Sequence, residues 1–224
     1  MRMLSHAEAR SFYDRLGAMQ DWQRFFEEPA TSDLVRALDL STAQSVLEFG
    51  CGTGRLAESL LTQQLPATAE YLAIDISSTM VALARRRLMR FGPRVRVLQS
   101  AGEMKLEVES GTFDRFISTY VFDLLSEADI AALLAEAYRA LSPDGLLGLV
   151  SLTHASTLMS RGIERAWLGV HSFRPSLVGG CRPIELLEFV AEVMWEVRHR
   201  RTITRFGIAS EVVVARQFSR SSVH

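Results

Sequence analysis

The chain has 224 residues and a formal net charge of −1, with 25 Lys and Arg residues against 26 Asp and Glu residues. This length allows one domain with a substantial core, and the near-neutral charge disfavours a general RNA- or DNA-binding protein, which needs a basic surface. No membrane span or apolar signal peptide core is evident, and the two cysteines predict neither a disulfide framework nor a metal site, so we expect a cytoplasmic protein.

Residues 5–38 are predicted to be helical, because apolar and aromatic side chains recur at near-helical spacing from Phe12 onward. Pro29 is predicted to break this run, since proline removes a backbone donor inside a helix. Thr31 then caps a second helix over 33–38. The whole segment precedes the first predicted strand.

A buried strand predicted over 44–49 runs into a loop with glycine at every second position, Gly50, Gly52 and Gly54. A helix over 54–62 follows. Alternate glycines let the backbone turn tightly and let a ligand approach the main chain, and the free N–H groups of the helix start favour an anionic group. The loop therefore predicts a site for a small charged cofactor.

Two carboxylates accompany the glycines: Glu48 stands before the first one, and Asp75 ends the strand predicted over 70–75. An acid at the second strand end can accept both hydroxyls of a ribose. The acid ahead of the glycines suits a ligand with a cationic amine, which nicotinamide dinucleotides lack. Gly52, Gly54 and Ala57 nevertheless match a looser dinucleotide-binding pattern, so a nicotinamide-dependent reductase remains an alternative function.

Strands and helices alternate through the middle of the chain. Strands are predicted over 94–99, 113–119 and 145–152, with helices over 77–90 and 126–140. This alternation predicts an α/β protein with a doubly wound, Rossmann-like parallel sheet and helices on both faces. The basic run Arg85-Arg86-Arg87 with Arg90 is interpreted as a solvated helix face.

The last third departs from this pattern. Residues 154–182 are rich in Gly, Arg, Ser and His, and a helix over 184–192 follows. Two strand-like runs over 196–204 and 211–216 are close enough to predict an antiparallel hairpin. Since no linker or repeat interrupts the chain, we expect a single domain over residues 1–224.

Four motifs, in order and spacing, resemble the class I S-adenosylmethionine-dependent methyltransferases. They are the glycine motif Glu48–Gly54, the ribose-binding strand end Ala73–Ser77, the fourth strand Phe113–Thr119 and the turn Leu141–Leu147 ahead of the fifth strand. In addition, Phe12-Tyr13-Asp14 is similar to the entry helix of the ubiquinone and menaquinone biosynthesis methyltransferases.

The resemblance implies a seven-stranded, mostly parallel sheet whose last strand is antiparallel. It implies S-adenosylmethionine as cofactor and methyl transfer to O, N or C of a small-molecule acceptor by a monomer or homodimer. A methyltransferase-like binding protein without turnover is the non-enzymatic alternative. The predicted parts are an N-terminal helical cover over 1–40, a cofactor-binding core over 44–152, a substrate cover over 154–182 and a C-terminal helix and hairpin over 183–218.

The family's cofactor positions can be carried onto this sequence. Many relatives hold the adenine amino group with an aspartate at the position of Ala101, so adenine is expected to be held by main chain at 101–102, by Glu103 and by apolar contacts. The implied cofactor residues are Tyr13, Glu48, Gly50, Cys51, Gly52, Gly54, Asp75, Ile76, Met80, Ala101, Gly102, Glu103 and Thr119.

Methyl transfer from a sulfonium requires alignment and exclusion of water, whereas only a hydroxyl or carbon-acid acceptor gains from a general base. His154 and Tyr120 are the candidate catalytic residues because they follow the fifth and fourth strands, although a surface histidine or a packing tyrosine explains them as well. The candidate substrate-binding residues are Trp22, Phe26, Asp123, His171 and Arg174. Segments 5–28 and 154–182 are predicted to form a mobile cover over the site.

Overall fold

The computed structural model describes residues 5–16, 24–154, 181–192 and 195–218. The helices are α1 His6–Leu16, α2 Arg24–Ala37, α3 Arg55–Gln63, α4 Ser78–Leu88, α5 Glu127–Ala140 and α6 Leu186–Glu192. The strands are β1 Ser45–Phe49, β2 Glu70–Asp75, β3 Val95–Gln99, β4 Phe113–Thr119, β5 Leu141–Leu152, β6 Trp195–Arg205 and β7 Ile208–Gln217. None of the helices within these ranges is long and apolar enough to cross a membrane.

All seven strands form one sheet in the order β3-β2-β1-β4-β5-β7-β6. Strands β1 to β5 pair in parallel, and β7 runs antiparallel to both β5 and β6. The predicted seven-stranded, mostly parallel sheet with an antiparallel last strand is confirmed. The order reverses between β1 and β4, so the carboxyl ends of these two strands flank the crevice in which such sheets bind ligands.

Both faces of the sheet are buried under helices, as predicted. On one face, Leu133 and Leu134 of α5 and Leu186 of α6 belong to one apolar core. On the other face, Leu34 of α2 and Leu60 of α3 belong to a second core. The two cores hold β1, β2 and β4 in the middle of the molecule and so fix the crevice at their ends.

The prediction that Pro29 breaks the N-terminal helix is wrong, because α2 runs through it from Arg24 to Ala37. Pro29 is the sixth residue of the helix, beyond the first turn, so the helix forms despite the loss of one internal backbone hydrogen bond there. The helix continues because Ala30 and Leu34 are completely buried on one of its faces, as is Leu38 directly after its end. Apolar packing therefore outweighs the local preference of proline.

Strand β5 begins at Leu141, four residues before the predicted start at 145. Its pairing with β4 shifts from Phe113–Leu141 to Arg115–Leu146, so the intervening residues form a bulge. This bulge contains the Ser-Pro-Asp-Gly turn recognised in the sequence, and the short pair ahead of it extends the strand. The division of the chain into covers and core remains a prediction, and residues 155–180 of the predicted substrate cover lie outside the described ranges.

Candidate functional site

The glycine loop after β1 has the backbone conformation for which glycine is needed. The φ angles of Gly50, Gly52 and Gly54 are +80°, +52° and +76°, all in the left-handed region that side chains disfavour. The amides of Gly50 and Cys51 donate to the carbonyl of Ile74 at 2.8 and 3.0 Å. The loop is thereby closed against the end of β2.

Asp75, at the end of β2, joins the glycine loop to the start of α4. Its Oδ2 accepts a hydrogen bond from the Gly52 amide at 2.8 Å, and its Oδ1 accepts one from the Ser77 amide at 2.9 Å. Burial raises the pKa of Asp75 despite these hydrogen bonds. Since an ionised carboxylate has about four acceptor positions, Asp75 retains acceptor capacity for the hydroxyl of a ligand.

Glu48 lies in β1 directly before the glycine loop, and it is only 2% exposed. Its Oε2 accepts a hydrogen bond from the Tyr71 hydroxyl at 2.9 Å. Burial, with a smaller contribution from the charge of Asp75, raises the pKa of Glu48 to about 8. A cation bound beside Glu48 would favour its ionised form.

Two clefts meet at the carboxyl ends of the strands. A small cavity of about 100 Å³ is lined mainly by apolar residues, and a large cleft of about 890 Å³ extends along α2, α3 and the glycine loop. Gly50, Thr119 and Tyr120 line both. The small cavity is also lined by His6, Ala9, Tyr13, Phe49, Ile74, Asp75, Ile76, Ser100, Gly102, Met104, Val121, Leu124 and Leu125.

Tyr120 lies at the junction of the two clefts in a strained conformation. Its φ is +56°, which is rare for a residue other than glycine and occurs often at functional sites. Its hydroxyl lies 2.9 Å from the Ser210 hydroxyl of β7, and its amide donates to Val150 of β5 at 2.7 Å. Burial raises the pKa of Tyr120, so the phenol is neutral at physiological pH.

Asp123 lies in the turn after β4 and is completely buried. Its Oδ2 accepts a hydrogen bond from the Leu152 amide at 3.2 Å, whereas its Oδ1 has no hydrogen-bond partner among the described residues. Burial raises the pKa of Asp123 to about 7, against the opposing charge of Arg182. A buried carboxylate oxygen without a partner is costly and therefore unusual.

Helix α1 covers the small cavity and is attached at both ends. Asp14 accepts hydrogen bonds from the Ser77 hydroxyl at 2.6 Å and from the Thr79 amide at 3.2 Å, at the start of α4. At the other end, His6 Nε2 lies 3.3 Å from Asp129 Oδ2 in the first turn of α5. Side chains between these two contacts form part of the cavity wall.

Comparison with known proteins identifies this arrangement. Residues 46–145 match the family described as a methyltransferase domain. A demethylmenaquinone methyltransferase from Thermus thermophilus is 35% identical over 115 residues, which span 50% of this chain and 50% of that protein. Residues 46–145 therefore carry a methyltransferase domain. A demethylmenaquinone methyltransferase from Oceanobacillus iheyensis is 24% identical over 169 residues, covering 75% of this chain and 68% of that protein.

Solved structures share the fold of this methyltransferase domain. A SAM-dependent methyltransferase from Aquifex aeolicus has a TM-score of 0.60 at 18% identity, covering 92% of this chain and 97% of its own. The [4+2]-cyclase SpnF has a TM-score of 0.72 at 16% identity, covering 97% of this chain and 98% of its own. Because that neighbour is described as a cyclase, the fold alone does not determine the reaction.

The methyltransferase domain brings most of the predicted cofactor residues together. Tyr13, Gly50, Asp75, Ile76, Gly102 and Thr119 line the small cavity, and Glu48, Gly50, Cys51, Gly52 and Thr119 line the large cleft. Gly54 lies elsewhere: a Cβ atom there would be 3.0 Å from the Cβ of Ala84, so its role is to let α3 approach α4.

The side chains around the predicted adenine position differ in part from those expected. The side chains of Ala101 and Glu103 are exposed and do not line the small cavity, and Met80 is completely buried in α4 away from it. Ser100 and Met104 line the cavity instead. Strand β3 ends at Gln99. After it, Ser100, Gly102 and Met104 face the cavity, whereas Ala101 and Glu103 face solvent, and the sequence motif alone did not predict this alternation.

The predicted catalytic and substrate residues are dispersed. Tyr120 lines both clefts, whereas His154 is exposed and lines neither cleft of the described structure. Phe26 lies in α2, but its side chain is outside the described part. Asp123 is completely buried and lines neither cleft of the described structure. Trp22, His171 and Arg174 lie outside the described residues.

Three contributors to the site were not recognised in the sequence. Ser210 reaches Tyr120 from 90 positions further along the chain, and Cys181 accepts a hydrogen bond from the Tyr13 hydroxyl. Glu27 lines the large cleft. A serine, a cysteine and a glutamate carry no motif, so only the fold could bring them to this site.

The basic run on α4 is not simply solvated. Arg87 donates to the Thr53 carbonyl at 3.0 Å and to the Thr53 hydroxyl at 2.5 Å, and it lies 3.6 Å from Glu58. Thr53 belongs to the glycine loop. The arginine therefore supports the loop from behind, while Arg86 is exposed as predicted.

Proposed function

We propose that this protein is an S-adenosylmethionine-dependent methyltransferase that methylates a small-molecule acceptor at O, N or C. The observation that carries this proposal is the Asp75 carboxylate, held at 2.8 Å by the Gly52 amide and bordering the small cavity. The same carboxylate thus contacts the glycine loop and lies where it could accept hydrogen bonds from ribose hydroxyls. We also propose a cytoplasmic monomer or homodimer without a nucleic-acid partner, in line with the near-neutral charge.

The residues of the site fit the proposed cofactor. The apolar wall formed by Ile76, Met104 and Leu125 suits an adenine ring. Asp75 would hold the ribose, and Glu48 with the loop amides would hold the amino-acid end. When bound, S-adenosylmethionine supplies an electrophilic methyl group on a positively charged sulfonium.

The protein's own residues would then orient the reactants and exclude water. Orientation and exclusion of water together supply much of the catalysis in a displacement of this kind. Gly50 and Tyr120 border both clefts, so the transferred group would lie beside them. Tyr13 on α1 would close the cavity above it. His154 remains a candidate base whose contribution depends on the acceptor.

Two observations disfavour a nicotinamide-dependent reductase. Gly54, the second glycine of the looser dinucleotide pattern, through which a pyrophosphate would approach the backbone, does not border either cleft of the described structure. The buried Glu48 beside the loop suits a cationic amine, which a nicotinamide dinucleotide does not offer. In addition, the relatives from Thermus thermophilus and Oceanobacillus iheyensis are described as demethylmenaquinone methyltransferases.

Isothermal titration calorimetry with S-adenosylhomocysteine and with NADH tests this proposal. We expect the thioether to bind and the dinucleotide not to bind. Replacing Asp75 by Ala should weaken thioether binding by about 1.5–3 kcal/mol, because the ribose hydroxyls lose a charged partner.

Asp144, which is exposed in the bulge of β5, provides the matched control. The Asp144→Ala variant should bind like the wild type. Unchanged affinity in a folded Asp75→Ala variant would remove Asp75 from the site, and tight binding of NADH without binding of the thioether would overturn the proposal.

A further inference from the structure

His6, the first residue of α1, lies in the wall of the small cavity. Ala9 and Tyr13 of the same helix line this cavity as well. Residues at this spacing lie on one face of a helix, so a single face of α1 borders the cavity. Helix α1 therefore brings an imidazole ring into the wall of a cavity that is lined mainly by apolar residues.

Gly102 lets the loop after β3 approach His6 closely. The φ of Gly102 is +103°, and a Cβ atom there would lie 3.2 Å from the His6 Cβ and 3.2 Å from the Ile76 Cδ1. Both distances are shorter than ordinary contacts between carbon atoms, so only glycine lets α1, this loop and the residue after β2 meet without a shift. His6 thus borders Ile76 and Gly102, at which the adenine ring is expected.

The loop after β3 offers no uncommitted side-chain acceptor to a base in the cavity. Ala101 has no polar side chain, and the Glu103 side chain is exposed and does not line the cavity. Ser100 lines the cavity, but its hydroxyl oxygen already accepts a hydrogen bond from the Gly102 amide at 3.0 Å. A side-chain acceptor for an amino group of the base must therefore come from another element.

The contact with Asp129 determines which imidazole nitrogen of His6 can act as an acceptor. His6 Nε2 lies 3.3 Å from Asp129 Oδ2 in the first turn of α5. Because a carboxylate accepts hydrogen bonds, this contact favours the neutral tautomer with its proton on Nε2. Nδ1 then carries a lone pair, and it has no hydrogen-bond partner among the described residues. The ring is thus prepared to accept a hydrogen bond at Nδ1.

We propose that His6 is a cofactor-binding residue that recognises the adenine base, with its Nδ1 accepting a hydrogen bond from the exocyclic amino group. Asp129 is the positioning residue that holds the ring and its tautomer. This inference deepens the proposed function and rests on it. Since a purine without the amino group cannot donate to Nδ1, the contact selects adenine over such a base.

Calorimetry with two ligands tests this assignment on the full chain. The ligands are S-adenosylhomocysteine and its analogue in which hydrogen replaces the exocyclic amino group of the purine. They are titrated at about pH 8.5, where histidine side chains are generally neutral. The ratio of the two dissociation constants should fall about three- to tenfold in His6→Ala relative to the wild type, the effect of one neutral hydrogen bond. A purely structural role of His6 would weaken both ligands alike and leave this ratio unchanged.

Two conservative variants distinguish the two imidazole nitrogens. In His6→Asn the amide oxygen can take the position of Nδ1, so part of the wild-type ratio should be retained. In His6→Gln the amide nitrogen can take the position of Nε2 and donate to Asp129, but no acceptor remains at Nδ1. The ratio should then fall as in His6→Ala. Arg10→Ala, at an exposed position of α1, is the control and should keep the wild-type ratio.

The proposed function and the adenine contact fail in different ways. If S-adenosylhomocysteine does not bind the wild type, the proposed function is overturned and the adenine contact falls with it. If the thioether binds but His6→Ala keeps the wild-type ratio, or Arg10→Ala lowers it as much, the inference about His6 alone is overturned. The same holds if His6→Asn loses as much of the ratio as His6→Gln, because Nδ1 is then not the acceptor.

Discussion

The Asp14 carboxylate of α1 accepts a hydrogen bond from the Ser77 hydroxyl, 2.6 Å away at the start of α4. This contact fastens the cover helix two residues beyond Asp75. The cavity beneath it measures about 100 Å³, whereas ligand pockets typically have roughly 300–1,000 Å³. We therefore expect helix α1 to shift when the adenine and ribose of a cofactor enter this cavity.

Replacing Asp14 by Ala should loosen α1 in the free protein. Hydrogen exchange of the α1 amides should be faster than in the wild type and should slow when S-adenosylhomocysteine binds, while β1 stays protected in both. Arg10→Ala, at an exposed position of the same helix, is the control. Equal protection of residues 5–16 with and without ligand would contradict the prediction that segment 5–28 is a mobile part of the cover.

The attachment of α1 should also depend on pH. The Ser77 hydrogen bond lowers the pKa of Asp14 against a smaller opposing effect of burial. The ionised carboxylate therefore stabilises the attached form at all pH values above its ordinary pKa, and this stabilisation is lost as the pH falls through the lowered value. Exchange of α1 measured from pH 7 down to pH 3, corrected for intrinsic rates, should reveal the loss in the wild type but not in Asp14→Ala.

Gly50→Ala should damage the glycine loop more than a comparable change elsewhere. A Cβ atom at Gly50 would lie 2.1 Å from Val121 Cγ2, and the φ of +80° adds backbone strain. We expect a loss of about 2–5 kcal/mol in the free energy of unfolding, from strain and overpacking together. Thioether binding should be abolished in calorimetry.

Gly111 offers a matched control because its φ is +69° and a Cβ there would meet nothing within 4 Å. Gly111→Ala should lower the free energy of unfolding by only about 1–2 kcal/mol, from backbone strain alone, and should leave thioether binding intact. If both alanine variants lose the same stability in chemical denaturation, contact with Val121 is not what requires glycine at position 50.

Cofactor binding should release a proton from Glu48. With its pKa raised to about 8, Glu48 is mostly protonated at pH 7, and the ammonium group of the ligand would favour the ionised form. Calorimetry at pH 7 in buffers of different ionisation enthalpy should show up to about one proton released per ligand. Glu48→Gln should eliminate the release, whereas Asp123→Asn should retain most of it.

The same group predicts how stability changes with pH. Because the folded pKa of Glu48 is raised, the folded state binds more protons than the unfolded state between the ordinary glutamate pKa and about 8. The free energy of unfolding should therefore fall as the pH rises through this window. Thermal unfolding from pH 5 to pH 8 should show a smaller decline for Glu48→Gln; an identical decline would mean that Glu48 is ionised in the folded protein.

The hydrogen bond between Tyr120 and Ser210 should be measurable as an energetic coupling. Unfolding of Tyr120→Phe, Ser210→Ala and the double variant should give a coupling of about 0.5–1.5 kcal/mol, the net value of one such bond. Ser151→Ala is a suitable control, since this buried hydroxyl has no hydrogen-bond partner in the described ranges. Strictly additive effects would mean that Ser210 does not hold the tyrosine.

Local pattern was sufficient for the part of the site formed by the glycine loop and its two carboxylates. Glu48, the glycines and Asp75 lie at strand ends, and β1 and β2 pair in parallel with Phe49 opposite Ile74. Because parallel neighbours end at the same edge, the alternation of strands and helices in the sequence was enough to predict that these residues converge. Their chemistry could be predicted because backbone conformation and charge are local properties.

The rest of the site depended on contacts between distant residues. The Tyr120 hydroxyl lies 2.9 Å from the Ser210 hydroxyl, and nothing in the spacing of the sequence links these two residues. The continuation of α2 through Pro29 could not be predicted from local sequence either, because it depends on the burial of Leu34 and Leu38 against the sheet. Such packing energies depend on the partner surface and cannot be derived from a single segment.

The sequence by itself determined the class of fold, the position of the glycine loop and the two carboxylates that border it, because periodicity and glycine spacing act over neighbouring residues. Only the tertiary structure decided that Met80 and Gly54 pack away from the clefts, that Asp14 attaches α1 to α4, and that Tyr120 is held by Ser210. These features depend on the packing of remote segments against one another, because that packing determines which side chains are removed from water and which of them find a hydrogen-bond partner.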